Sequence, residues 1–268
     1  MFLFLPLYDD APRRRVPVVT YGLIGTCAAV FLWQIGLPPR AQDAVAFSYG
    51  MIPAVLFGYA HLPARLARVA PWLTVFTSMF LHGGWLHLLG NMLYLWLFGK
   101  GVEGALGPFR YLFFYFICGG AAALTQALIS PTAEVPMIGA SGAIAGVLGA
   151  YLVLFPRGNV VVFFWLFIFV RLITVPAVIL LGLWFLLQLL SAVSATAGEP
   201  GVAFWAHVGG FTLGMLLVPF FRRSGVAMLQ PARTGAFVVA PPRAARQRFS
   251  AGSVPSAGRG AGRRGPWG

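Results

Sequence analysis

Long apolar runs, broken by short polar stretches rich in proline and glycine, set the organisation of this 268-residue chain. Six of them are read as membrane-crossing helices, over about 17–37, 83–104, 108–130, 141–155, 175–195 and 204–221, most of them near the roughly 20 residues that span a bilayer. The first follows Arg13, Arg14 and Arg15 as a signal peptide would. It has the length of a full crossing, however, and no small-x-small cleavage site follows, so it is read as a retained helix. The stretch from Val160 to Ala195 is too long for one crossing, because at about 1.5 Å per residue it would exceed a hydrocarbon core of about 30 Å. Arg171 and Pro176 mark its break, which makes 158–173 an interfacial or re-entrant segment. The fourth run is the reverse case. At about 22 Å it is short enough to begin below the membrane surface while facing a water-filled cavity.

Residues 38–81 hold Pro38, Pro39, Pro53, Pro63 and Pro71, with aromatic side chains among few charges. So long a connection is expected to carry short helices lying in the outer interface. From Arg222 onward the chain has nine arginines and no acid. Such a composition buries too little apolar surface to fold, so 222–268 is read as a disordered cytoplasmic tail whose charge suits anionic lipid headgroups.

Composition changes the picture in one respect, since 59% of residues are hydrophobic and 9% charged, against about 25% charged in a soluble domain. The fold class is therefore all-α, a polytopic membrane protein. The net charge of +13 could suggest a nucleic-acid partner, but the basic residues sit in flanks and loops rather than on an amphipathic face. Orientation in the bilayer explains them better, and no nucleic acid is expected. Cys27 and Cys118 lie inside apolar runs without metal-ligand spacing, so neither a disulfide framework, a metal site nor a cofactor is expected.

Three polar clusters interrupt this apolar background. In PMIGASGAIAGVLGA, residues 136–150, Ser141 sits between Gly139 and Gly142 at the start of the fourth run. A serine hydroxyl becomes a nucleophile once a base takes its proton and the resulting oxyanion is stabilised. The bland alternative is a helix-packing face, because Gly142 and Gly146 make the small-xxx-small pattern of membrane helix pairs. The candidate base is in WAHVGGFTLGMLL, residues 205–217, where His207 opens the sixth run and Gly210 and Gly214 give it a second smooth face. Two such faces bring backbones close enough for a serine and a histidine on neighbouring helices to meet. In HGGWLHLLGNM, residues 82–92, His87 and Asn91 are four apart and share one helical face. Ionisable groups in lipid mark function by default, which weighs against three unrelated packing accidents.

Taken together, GASG, AHVGG and HGGWLHLLGN resemble the rhomboid family of intramembrane serine proteases over roughly residues 17–221. The resemblance implies a six-helix membrane domain and a Ser–His dyad without an acidic third member. Ser141 would be the nucleophile and His207 the general base of a serine-type endopeptidase, with His87 and Asn91 helping the Ser141 amide to form the oxyanion hole. It also matches the family's GxxxE element to Gly99 and Glu103, as a structural motif. Two positions depart from common family patterns: Leu73 follows Trp72 where an arginine is frequent, and Ala145 stands where some members place a tyrosine under the histidine. With no carboxylate to orient it, His207 is expected to be held by packing or by water.

Arginines at both ends of the membrane region put both termini, including segment 1–16, in the cytoplasm, and an even number of crossings follows. Six crossings bring His87, Asn91, Ser141 and His207 to one depth near the outer face. A bacterial inner membrane is the expected location, transmembrane proteins and the lipid bilayer are the expected partners, and the oligomeric state stays open. The rivals are a non-catalytic escort factor of the same fold and a transporter. The first would have lost the serine or the histidine, and the second would show internal repeats, which the two halves lack.

Overall fold

A computed structural model describes residues 2–12, 15–166, 169–194 and 203–232. The six apolar runs are its six long helices: α1 (Val18–Ile35), α5 (Trp85–Leu106), α6 (Pro108–Ile129), α7 (Ser141–Leu154), α8 (Ala177–Ser194) and α9 (Phe204–Phe221). Between α1 and α5 lie α2 (Pro39–Tyr49), α3 (Pro53–Leu56) and α4 (Pro71–Thr77), followed by a 3-10 turn over Ser78–Phe80. Pro39, Pro53 and Pro71 each open one of these short helices, where the missing N–H costs no hydrogen bond. Among the described residues α1, α6, α8 and α9 are long and apolar enough to cross a membrane. Helix α5 is as long as α6 but carries Lys100 and Glu103, and α7 has 14 residues. The chain is a polytopic helical membrane protein.

To the all-α bundle the structure adds one small antiparallel sheet in the order β1-β2-β3: β1 (Phe2–Asp9), β2 (Asn159–Leu166) and β3 (Phe169–Pro176). The interfacial segment expected over 158–173 therefore takes the form of strands rather than a helix. Its Val, Ile, Phe and Trp content favours a pleated, half-buried surface, and Val160 and Val162 are buried against the bundle. Residues 2–9, read from sequence only as part of a flank, supply an edge strand. Pro6 is tolerated there because an edge position need not donate to a ladder, and the register shifts between Pro6 and Tyr8. The sheet is tied to the end of α7 by Tyr151, whose hydroxyl donates to Asp9 Oδ2 at 2.9 Å.

One part of the expected tail is ordered. Residues 222–232 fold back over the same end of the bundle, with Val226 buried and the N–H groups of Leu229 and Gln230 donating to the Val153 and Leu154 carbonyls, at 2.9 Å each. The last carbonyls of α7 have no partner inside their own helix, so this segment corrects the reading of 222–268 as free from its first residue. Residues 233–268, and all of the expected loop 196–203 except Ala203, lie outside the described residues.

The small residues set the tightest packing. A Cβ on Gly210 would collide with the Gly142 carbonyl, one on Gly214 with that of Gly146, and one on Gly149 with that of Phe211. Helices α7 and α9 thus touch backbone to backbone, while Ala122 and Cys118 of α6 close on Gly142 and Gly146 from the other side. Helix α1 is held to α5 by Glu103. Its Oε1 accepts from the Val19 N–H at 3.0 Å, and its Oε2 accepts from the Thr20 N–H and hydroxyl at 2.8 and 2.7 Å. These are first-turn N–H groups that α1 cannot satisfy itself. Gly99, one turn earlier on α5, leaves room for Tyr111 and Thr20.

Candidate active site

Ser141 is the first residue of α7, so its N–H points out of the helix start with no intrahelical acceptor. The preceding loop is pinned from several directions. Gly139 N–H donates to the Ser78 carbonyl at 2.9 Å, and Met51 and Met137 exchange backbone hydrogen bonds of 3.0 and 2.8 Å. Gly139 has φ +124°, and a Cβ there would come within 2.7 Å of His87 Nε2. Both the left-handed backbone and the close histidine exclude other residues.

His207 lies in the first turn of α9 and is buried. Its Nε2 stands 2.8 Å from Ser141 Oγ, and its Nδ1 stands 2.7 Å from Oε1 of Gln188 on α8. An amide oxygen can only accept, so Nδ1 carries the ring hydrogen and Nε2 is left to accept from the serine hydroxyl. The Trp184 ring lies beside His207 at 5.9 Å between centroids and 37° between planes. Sequence reasoning did not find Gln188 or Trp184, and it expected packing or water in the place the glutamine occupies. The available signal was a glutamine within the otherwise apolar fifth run.

His87 and Asn91 project from the first turns of α5 toward the same place. His87 Nδ1 accepts from the Gly83 N–H at 3.3 Å, which assigns the ring hydrogen to Nε2, the atom facing Gly139. Asn91 Nδ2 is buried and among the described residues has no hydrogen-bond partner. A cavity of about 610 Å³, lined by His87, Asn91, Gly139, Ser141 and His207, lies between the loop and the helices, and a second of about 350 Å³, also lined by Ser141 and His207, opens between α5 and α8. His82, from the same cluster, serves the fold: its carbonyl accepts from Gln34 Nε2 of α1 at 3.0 Å. Burial first, and then the neighbouring His87, push its ring down to about 4, so it is neutral. Gly142, Gly210 and Gly214 are the helix contacts described above, and Gly99 and Glu103 lie toward the end of α5 remote from His87. No cluster of metal ligands occurs among the described residues.

A model of the Rhomboid domain matches residues 70–224, more than half of the chain. The chain belongs to the rhomboid family. Its similar rhomboid relatives include Rhomboid-like protein 11, chloroplastic, of Arabidopsis thaliana, 30% identical over 61% of this chain and 55% of that protein. Rhomboid protein 1, mitochondrial, of Saccharomyces cerevisiae is 29% identical over 74% of this chain and 51% of that protein. Rhomboid protease GluP of Bacillus subtilis is 41% identical over a shorter stretch, 30% of this chain and 15% of its own length. The chain spans about half the length of the first two. Rhomboid membership and protease-named relatives support a rhomboid-type function for an integral membrane protein.

Proposed function

We propose that this protein is a serine-type intramembrane endopeptidase that hydrolyses peptide bonds in or near transmembrane segments. The 2.8 Å approach of Ser141 Oγ to an unprotonated His207 Nε2 carries the reading. Ser141 attacks the scissile carbonyl carbon as its proton passes to His207 Nε2. The carbonyl oxygen, now negative, meets the Ser141 N–H, His87 Nε2–H and the unpartnered Asn91 Nδ2. His207 then gives its proton to the leaving amine, and a water deprotonated by the same nitrogen releases the acyl-enzyme. The orphaned Asn91 amide supports this division of labour, because a buried donor is costly to leave unpaired unless an oxygen fills the place during turnover.

Six crossings, with residues 2–12 and 222–232 on one side, fit the helix directions. The sheet, the Glu103 cap and residues 222–232 gather at one end of the bundle, and Ser141, His207, His87 and Asn91 at the other. The basic flanks assign the first end to the cytoplasm. Substrates are transmembrane proteins, and residues that weaken a helix near the cut favour cleavage, since a closed helix keeps its carbonyls in its own hydrogen bonds.

The deciding experiment treats purified protein in detergent with a fluorophosphonate probe and a model transmembrane substrate. Labelling at Ser141 and cleavage are expected, with both lost in Ser141→Ala. Folded protein that neither reacts nor cleaves, or an S141A variant that still cleaves, would end the serine-protease reading.

A further inference from the structure

Helix α8 runs AVILLGLWFLLQLLSAVS, and within it Gln188 is the one polar side chain before the serines of its last turn. A glutamine in a lipid-embedded helix is disfavoured unless its amide is partnered. Its partner here is the Nδ1–H of His207, at 2.7 Å. The helix is rotated toward that contact by aromatic packing. Phe185 stacks on Phe211 of α9 at 4.5 Å and 19°, and Trp184 lies 5.9 Å from both Phe211 and His207. Trp184 and Gln188 are four residues apart, so one face of α8 presents a ring to the side of the imidazole and an amide oxygen to its Nδ1.

We propose that Gln188 is a positioning residue for His207, holding the imidazole in the tautomer and orientation that leave Nε2 free to take the Ser141 proton. This rests on the protease reading above. The other tautomer would place its hydrogen on Nε2, donate to Ser141 Oγ, and could not act as the base. When Nε2 takes the serine proton, Nδ1 keeps its own, and the hydrogen bond to the amide oxygen persists through proton uptake and delivery. Gln188 is neutral, so it orients the ring without the full stabilisation of the imidazolium that a carboxylate would add. Among the described residues, His87 and Tyr94 are the other titratable side chains lining the two cavities beside the dyad, and neither is a carboxylate.

The competing account is interhelical adhesion alone, as polar side chains often supply in membranes. The two differ in what they do to the pH profile. Wild type, Gln188→Leu and Gln188→Glu are purified in detergent, and fluorophosphonate labelling rates and cleavage of the model transmembrane substrate are followed against pH, with S141A as the blank. Q188L is expected to lower kcat by about tenfold or more with little change in KM, a share of the roughly 10²- to 10⁴-fold that general base catalysis supplies. Q188E, nearly isosteric, is expected to move the acid limb of the labelling profile to higher pH, because a carboxylate beside Nδ1 favours the protonated ring. Wild-type kcat in folded Q188L, or an acid limb unmoved in Q188E, overturns the proposal. If Q188L fails to fold, the Q188E profile decides alone. A folded wild type that the probe does not label removes the protease reading together with this proposal, whereas a reactive wild type with an indifferent Gln188 removes only this one.

Discussion

Gly210 of α9 lies against the carbonyl oxygen of Gly142 on α7, so closely that no side chain fits between them. His207 is three residues before the first and Ser141 one before the second, so this backbone contact governs the 2.8 Å approach of Nε2 to Oγ. Gly210→Leu is expected to push the helices apart and to abolish labelling of Ser141, with an overpacking cost of about 1–3 kcal/mol or more. Gly22→Ala is the comparison, since open space surrounds Gly22. Thermal melting in detergent and probe labelling, read together, check both.

His207→Ala is expected to be as inactive as Ser141→Ala and to lower the melting temperature somewhat, because Gln188 loses its partner and a buried ring is removed. The two groups act in one proton transfer, so the double variant should lose little beyond either single one. Cleavage rates of the three proteins make the test. Additive losses would mean that another group takes the serine proton.

The oxyanion donors are expected to behave differently. Losing one donor typically costs about 10²- to 10³-fold in rate, and His87 Nε2 and the Ser141 N–H remain when Asn91 is cut back. Asn91→Ala should therefore keep measurable turnover with a lowered kcat and an unaltered KM. Wild-type kcat in that variant would remove Asn91 from the site.

The chain end separates into two parts. Truncation after residue 232 keeps Val226 and the hydrogen bonds of Leu229 and Gln230 to the end of α7, and wild-type melting and turnover are expected. Truncation after residue 224 removes them and is expected to lower the melting temperature. On sealed vesicles, protease should reach residues beyond 232 from one side and a reporter in the 131–138 loop only from the other. Access to both from the same side would contradict the six-crossing arrangement.

What the sequence determines by itself is whatever local chemistry dictates. A long apolar run between proline- and glycine-rich stretches reads directly as a helix, so the six helices are legible as runs, four of them with the length and apolarity of a crossing. The glycines flanking Ser141 and following His207 are legible too, because only small residues permit close backbones. The remainder depends on elements far apart in the chain. The paired residues of β1 and β2, from Asp9 with Val160 to Phe2 with Leu166, lie far apart in the chain, and nothing in FLFLPLYD names its partner. The arginine-rich composition after Arg222 hides the short stretch whose N–H groups meet the unpaired carbonyls of α7. Gln188 is the clearest case. Any face of α8 could have met lipid, and only the seating of Trp184 and Phe185 on Phe211 turns the glutamine toward His207. A helix's rotation about its own axis is set by its neighbours' side chains, so that contact belongs to the tertiary structure.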